Sequence, residues 1–165
     1  MLKKMGVVVA LFGMLTMVPA QPNLVDLANE AGVGWLTGEW QTVNNEGQTV
    51  LLAFKPDLDN HIVQVHYKDA RSESKGMVVL DPDTRNVKFW SANNLGGVGT
   101  GAWSAEDRRA ILKYKHTDAD GRLFRIGLTF TRLDANQMEV KLYDLSEYGE
   151  LSSEPRWTAT FTRKS

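Results

Sequence analysis

The sequence predicts an all-β fold: an antiparallel up-and-down barrel of about 8–10 strands, preceded by one short helix. Three observations predict it. Past Gly38 the apolar residues recur with period 2 and not 3.6. The alternating segments are short, and clusters of Gly, Asn, Asp and Pro separate them. No second amphipathic helix interrupts them, so successive segments pair as hairpins. A meander of that many strands closes into a barrel and so loses its edges. A two-sheet sandwich is the alternative.

The chain opens Met1-Leu2-Lys3-Lys4, runs almost wholly apolar from Met5 to Met17, and continues Val18-Pro19-Ala20. A positive start, an apolar stretch and small residues before a cut after Ala20 describe a secretory signal peptide. The apolar run is shorter than the roughly 20 residues a helix needs to span a bilayer. Residues 1–20 are therefore expected to be removed, leaving 21–165 as one domain, periplasmic or secreted, with no membrane anchor. Gln21 follows the cut, and the chain has no cysteine. A lipid-modified cysteine, a disulfide framework, thiolate metal sites and a cysteine nucleophile are thereby excluded. The formal net charge is −1, and loss of Lys3 and Lys4 makes it two units more negative. So small a net charge gives no footprint for nucleic acid or an anionic membrane.

Asn23 is placed to cap a helix, with Asp26 three residues on. Leu24, Leu27, Ala28 and Ala31 form one apolar helical stripe, and Gly32 and Gly34 end it. So short a helix reads as a plug or lid.

Strands are predicted over 39–45, 48–55, 61–68, 75–81, 86–92, 98–104, 109–116, 122–132, 136–143 and 156–163. In the clearest, Phe124, Ile126, Leu128 and Phe130 point one way, and Arg125, Gly127, Thr129 and Thr131 the other. One buried and one wet face is the mark of antiparallel sheet. The connections are turn sequences such as Asn45-Glu46-Gly47, Asp81-Pro82-Asp83-Thr84 and Asp118-Ala119-Asp120-Gly121. Asp118-x-Asp120-Gly121 lacks the rest of a calcium loop, so it too reads as a hairpin turn. Phe89 and Trp90 point opposite ways, and the pattern leaves open which one is inside.

Trp35-Leu36-Thr37-Gly38-Glu39-Trp40, a short helix followed by Gly-x-Trp opening the first strand, resembles the lipocalin (calycin) superfamily. The longer Trp-Leu-x-Gly-x-Trp pattern is similar to small bacterial exported lipocalin-like domains of unknown function. Ala159-Thr160-Phe161-Thr162-Arg163-Lys164 looks like their closing strand. The resemblance covers 33–165. It implies structural roles for Gly38, Trp40 and Arg163, with Trp40 across the closed end and Arg163 over its ring, a contact worth about 1 kcal/mol. Nitrobindin-like haem barrels share this architecture and ligate iron through a histidine on the closing strand. This chain has only His61, His66 and His116, and none lies in that strand.

No Gly-x-Ser-x-Gly or His-Glu-x-x-His signature occurs, so no residue is assigned to catalysis, and no cofactor is expected. Gly96-Gly97-Val98-Gly99-Thr100-Gly101 lacks the lysine of a phosphate loop. It reads as a flexible hairpin or a strand with a close backbone approach, or else as a mobile gate at the barrel opening. The expected function is non-catalytic binding of a small apolar or amphipathic ligand. Its walls are expected from inward residues away from Trp40: Phe54, Val63, Val65, Tyr67, Phe89, Leu112, Tyr114, Phe124, Ile126, Met138 and Val140. Tyr67 and Tyr114 would orient the ligand through their hydroxyls. The alternative is a filled barrel that meets another protein, with Tyr148, Trp90 or Trp103 exposed. A haem-binding barrel is the remote alternative.

Overall fold

A computed structural model describes residues 22–164. The predicted signal peptide and its cut lie outside the described residues. The chain forms helix α1 (Leu24–Glu30), a 3-10 turn (Gly34–Leu36) and ten strands. These are β1 (Gly38–Val43), β2 (Thr49–Asp57), β3 (Ile62–Lys68), β4 (Glu73–Leu80) and β5 (Val87–Asn93). They continue as β6 (Val98–Glu106), β7 (Arg109–Thr117), β8 (Leu123–Arg132), β9 (Gln137–Asp144) and β10 (Trp157–Arg163). Each strand pairs antiparallel with its sequence neighbours, and β10 pairs with β1 to close the barrel. The up-and-down barrel expected from the alternation is the fold.

Local chemistry explains the elements. The Asn23 side chain accepts a hydrogen bond from Asp26 N at 2.9 Å and starts α1. Asp118 Oδ1 accepts from the backbone of Asp120 and Arg122 and shapes the β7–β8 turn as an Asx turn. Val25 N donates to Asn60 O in the β2–β3 turn, which fixes α1 against one end of the barrel. The turns after β2, β4, β6 and β8 lie at this helix end, and those after β1, β3, β5, β7 and β9 at the far end.

The inward phase carries the core. Trp40, Phe54, Phe89, Leu112, Phe130, Met138, Val140 and Phe161 are all buried. Phe89 is inside and Trp90 outside, which settles the phase of β5. Aromatic rings fill the waist. Trp103 lies 5.2 Å from Phe130, 6.0 Å from Phe54 and 6.4 Å from Phe89, between ring centroids. These tilted and edge-on contacts suit the charge distribution of the rings.

The glycine-rich segment divides: Gly96 and Gly97 form the β5–β6 turn, and Val98 to Gly101 open β6. Its packing explains the composition: Tyr114 lies over Gly99 where a Cβ would collide with the phenol. The Phe89 ring covers Gly76 in the same way. Glycines on the inward phase make room for aromatic rings from the next strand.

Candidate functional site

The helix end holds a cleft of about 330 Å³ between α1 and the barrel. Its roof is the apolar stripe of α1, Leu24, Leu27, Ala28 and Ala31. Of these only Leu24 is buried; Leu27 and Ala28 are half-buried and Ala31 is exposed. The walls come from inward residues at the lower ends of β2 to β7: Phe54, Val63, Val78, Val87, Trp103 and Ala110. Almost every lining side chain is apolar. Thr37, Ser104 and Arg85 are the polar exceptions.

Beside the cleft stands a rigid post. Trp40 Nε1 donates to Leu36 O at 2.8 Å and ties the 3-10 turn to β1. The Arg163 guanidinium lies over the Trp40 ring, 4.2 Å from its centroid. It also donates to Thr37 O at 2.8 Å and to Trp35 O at 2.9 Å. Gly38 has φ 125°, and a Cβ there would collide with Arg163 Nη1. The post therefore needs glycine at 38 and the planar fork of arginine at 163. These are the structural positions that the family resemblance implies.

The aromatic waist separates this cleft from the far end. There Tyr114 Oη and Ser91 Oγ share a hydrogen bond of 2.6 Å, and His116 stacks on Tyr114 at 6.0 Å. Tyr67 Oη donates to Asp69 at 2.7 Å. Burial raises the pKa of Tyr67, and the Asp69 bond raises it further. Burial likewise raises that of Tyr114, against the opposing effect of Ser91. Both phenols stay neutral hydrogen-bonding groups near neutral pH.

The structure places all eleven expected ligand-facing residues on the inward phase, but spreads them along the barrel. Phe54 and Val63 line the cleft. Val65, Leu112, Met138 and Val140 are packed core, and Phe89 belongs to the waist. Tyr67, Tyr114, Phe124 and Ile126 face the far end, where Phe124 is 46% exposed. The helix stripe, Val78, Val87, Trp103 and Ala110 were not among the expected walls. The helical spacing and the strand phase both carried that signal. The missing part was the side of the barrel that the helix covers.

The histidines do not converge. His61 sits exposed before β3, and His66 points outward and bonds Glu73 at 2.7 Å. Only His116 faces inward, and β10 carries none. Among the described residues no group of three His, Cys, Asp or Glu is placed to hold a metal ion. No protein-family model matches the chain, and no curated protein matches it.

Proposed function

We propose that this chain is an exported, non-catalytic binding protein for a small apolar or amphipathic molecule, held in the cleft between α1 and the barrel. In this reading residues 1–20 are a cleaved leader and 21–165 are one barrel domain, periplasmic or secreted. The observation that carries it is the helix whose apolar stripe faces an apolar space that its own side chains leave unfilled. Such concave, mostly apolar sites with few polar groups are where small ligands bind.

Native mass spectrometry of the protein purified from its own host, followed by solvent extraction, tests the reading. A co-purifying small molecule is the expected result. Ala28→Trp projects an indole into the cleft and should weaken binding of that molecule at least tenfold. Binding that survives Ala28→Trp unchanged in a folded protein would remove the cleft from consideration.

The packed aromatic waist favours a second reading, a filled barrel that acts through its surface on another protein. A clean apo mass, with no uptake of an added apolar fluorophore, would turn the choice to it. A Soret band on adding haem would instead point to the remote haem-binding reading, with His116 as the inward imidazole.

A further inference from the structure

The outer wall of β4 to β8 has a charge pattern unlike the rest of the barrel. Elsewhere lysines on the strands stand beside carboxylates: Lys55 and Lys164 on Glu39, Lys141 on Glu139, Lys68 on Glu73. On this wall Lys88 bonds Asp81, but Lys75, Lys113 and Lys115 are exposed and form no ion pair among the described residues. Lys115 lies directly opposite Arg125 in the β7–β8 register. Like charges in that position repel and destabilise a sheet. Arg125 also keeps its Nε buried without a hydrogen-bond partner.

Trp90 stands among these cations. It points outward, is 43% exposed, and pairs with Met77 on one side and Thr100 on the other. Its outward neighbours on β5 and β6 are Lys88, Ala92 and Thr100, with Val98 and Ala102 on the diagonals. Four strand spacings of about 4.8 Å make the wall about 19 Å wide. The outward carboxylates of these five strands are Glu73 and Glu106. They stand at opposite ends and are already paired, with His66 and Lys68 and with Arg109. The turns at the two ends are likewise paired, Asp118 and Asp120 with Arg122 at the far end and Asp81 with Lys88 at the helix end.

We infer that this wall binds an acidic polysaccharide, with Trp90 stacked on a sugar face and Lys75, Lys113, Lys115 and Arg125 on its carboxylates. The cations without a carboxylate partner lie between ends whose charges are paired, so an anionic partner is held to a narrow band across the strands. A thin chain fits that band, whereas a charged plane such as a lipid surface would spread over the paired turns and gain nothing there. A bound carboxylate would relieve the Lys115–Arg125 repulsion. Trp90 supplies a half-exposed ring with a polar edge. The inference does not depend on the cleft or on its ligand.

The test uses the purified protein and polygalacturonate as probe, with neutral dextran, polyglutamate and anionic phosphatidylglycerol vesicles alongside. The expected result is binding to polygalacturonate that weakens steeply with salt, with none to dextran. Trp90→Ala should weaken it at least fivefold, and Lys113→Ala with Lys115→Ala at least tenfold. Lys141→Ala on another face should leave it unchanged. Trp90→Phe keeps a ring and should recover most of the affinity. All these positions are on the outer face, and circular dichroism checks that each variant is folded. No binding at low salt overturns the inference. Equal binding to polyglutamate that ignores Trp90→Ala overturns it in favour of simple charge attraction. Preference for the vesicles overturns it in favour of a membrane surface.

Discussion

Arg163 joins the first and last parts of the fold through one side chain. Its bonds to Thr37 O and Trp35 O cross 126 and 128 residues of chain, and its Nε also donates to Ala135 O at 3.5 Å. Hydrogen bonds from a charged donor contribute about 1.5–3 kcal/mol each when their loss leaves an acceptor unpaired. Partial exposure of Arg163 puts Arg163→Ala at the low end, about 2 kcal/mol in urea unfolding. Arg163→Lys keeps the charge but not the fork, and should recover less than half of that loss. Full recovery by lysine would show that charge alone matters there. Gly99→Val presses a branched side chain into the Tyr114 phenol. It should cost about 1–3 kcal/mol, typical of overpacking, and disturb the near-ultraviolet signal of the tyrosines. The Trp40–Arg163 stacking was legible through the family resemblance. The carbonyl bonds were not, because nothing local in the sequence reports which backbone a remote side chain will meet.

Turns and the helix carry the effects that belong to elements. In the β4–β5 turn Asp81 bonds Lys88 and accepts from the backbone of Asp83 and Thr84. These partners, Lys88 first, hold its pKa down at about 2. A depressed carboxylate stabilises the fold fully above its unfolded value of about 3.9. That contribution is lost as pH falls toward about 2. Unfolding midpoints measured from pH 5 to pH 2 should therefore fall, and Asp81→Asn should flatten that slope. An unchanged slope would assign the acid sensitivity to other carboxylates. In α1, Ala28→Leu extends a side chain into the cleft without loss of helix propensity. It should stabilise the protein by about 1 kcal/mol and weaken ligand binding, the trade expected where a site is left unfilled. The cap, the stripe and the stop of α1 were all readable in advance. The space beneath it was not, since an empty volume depends on how far side chains from seven other segments fail to meet.

For the whole molecule, period-2 alternation and turn chemistry were enough to predict a closed meander. They were enough because each hairpin brings sequence neighbours together and each inward phase is self-consistent. What they could not supply was depth along the barrel axis, so the expected ligand walls are scattered from the cleft to the far end. One continuous core runs from Leu24 to Phe161. It predicts a single cooperative transition, with tryptophan fluorescence and far-ultraviolet circular dichroism giving the same midpoint. Separate midpoints would mean that the helix end melts apart from the barrel.

The joint between β1 and β10 has a further consequence, one of timing. It is in register at Trp40 with Arg163 and Gln41 with Thr162, a much shorter ladder than β7 makes with β8. β1 is made early and β10 last, so the growing chain carries one unpaired ribbon edge throughout synthesis and any passage across a membrane. Such an edge recruits other strands. A helper that shields β1 until Arg163 emerges would raise yield, and a chain stopped before Trp157 should precipitate although nine of its ten strands are intact.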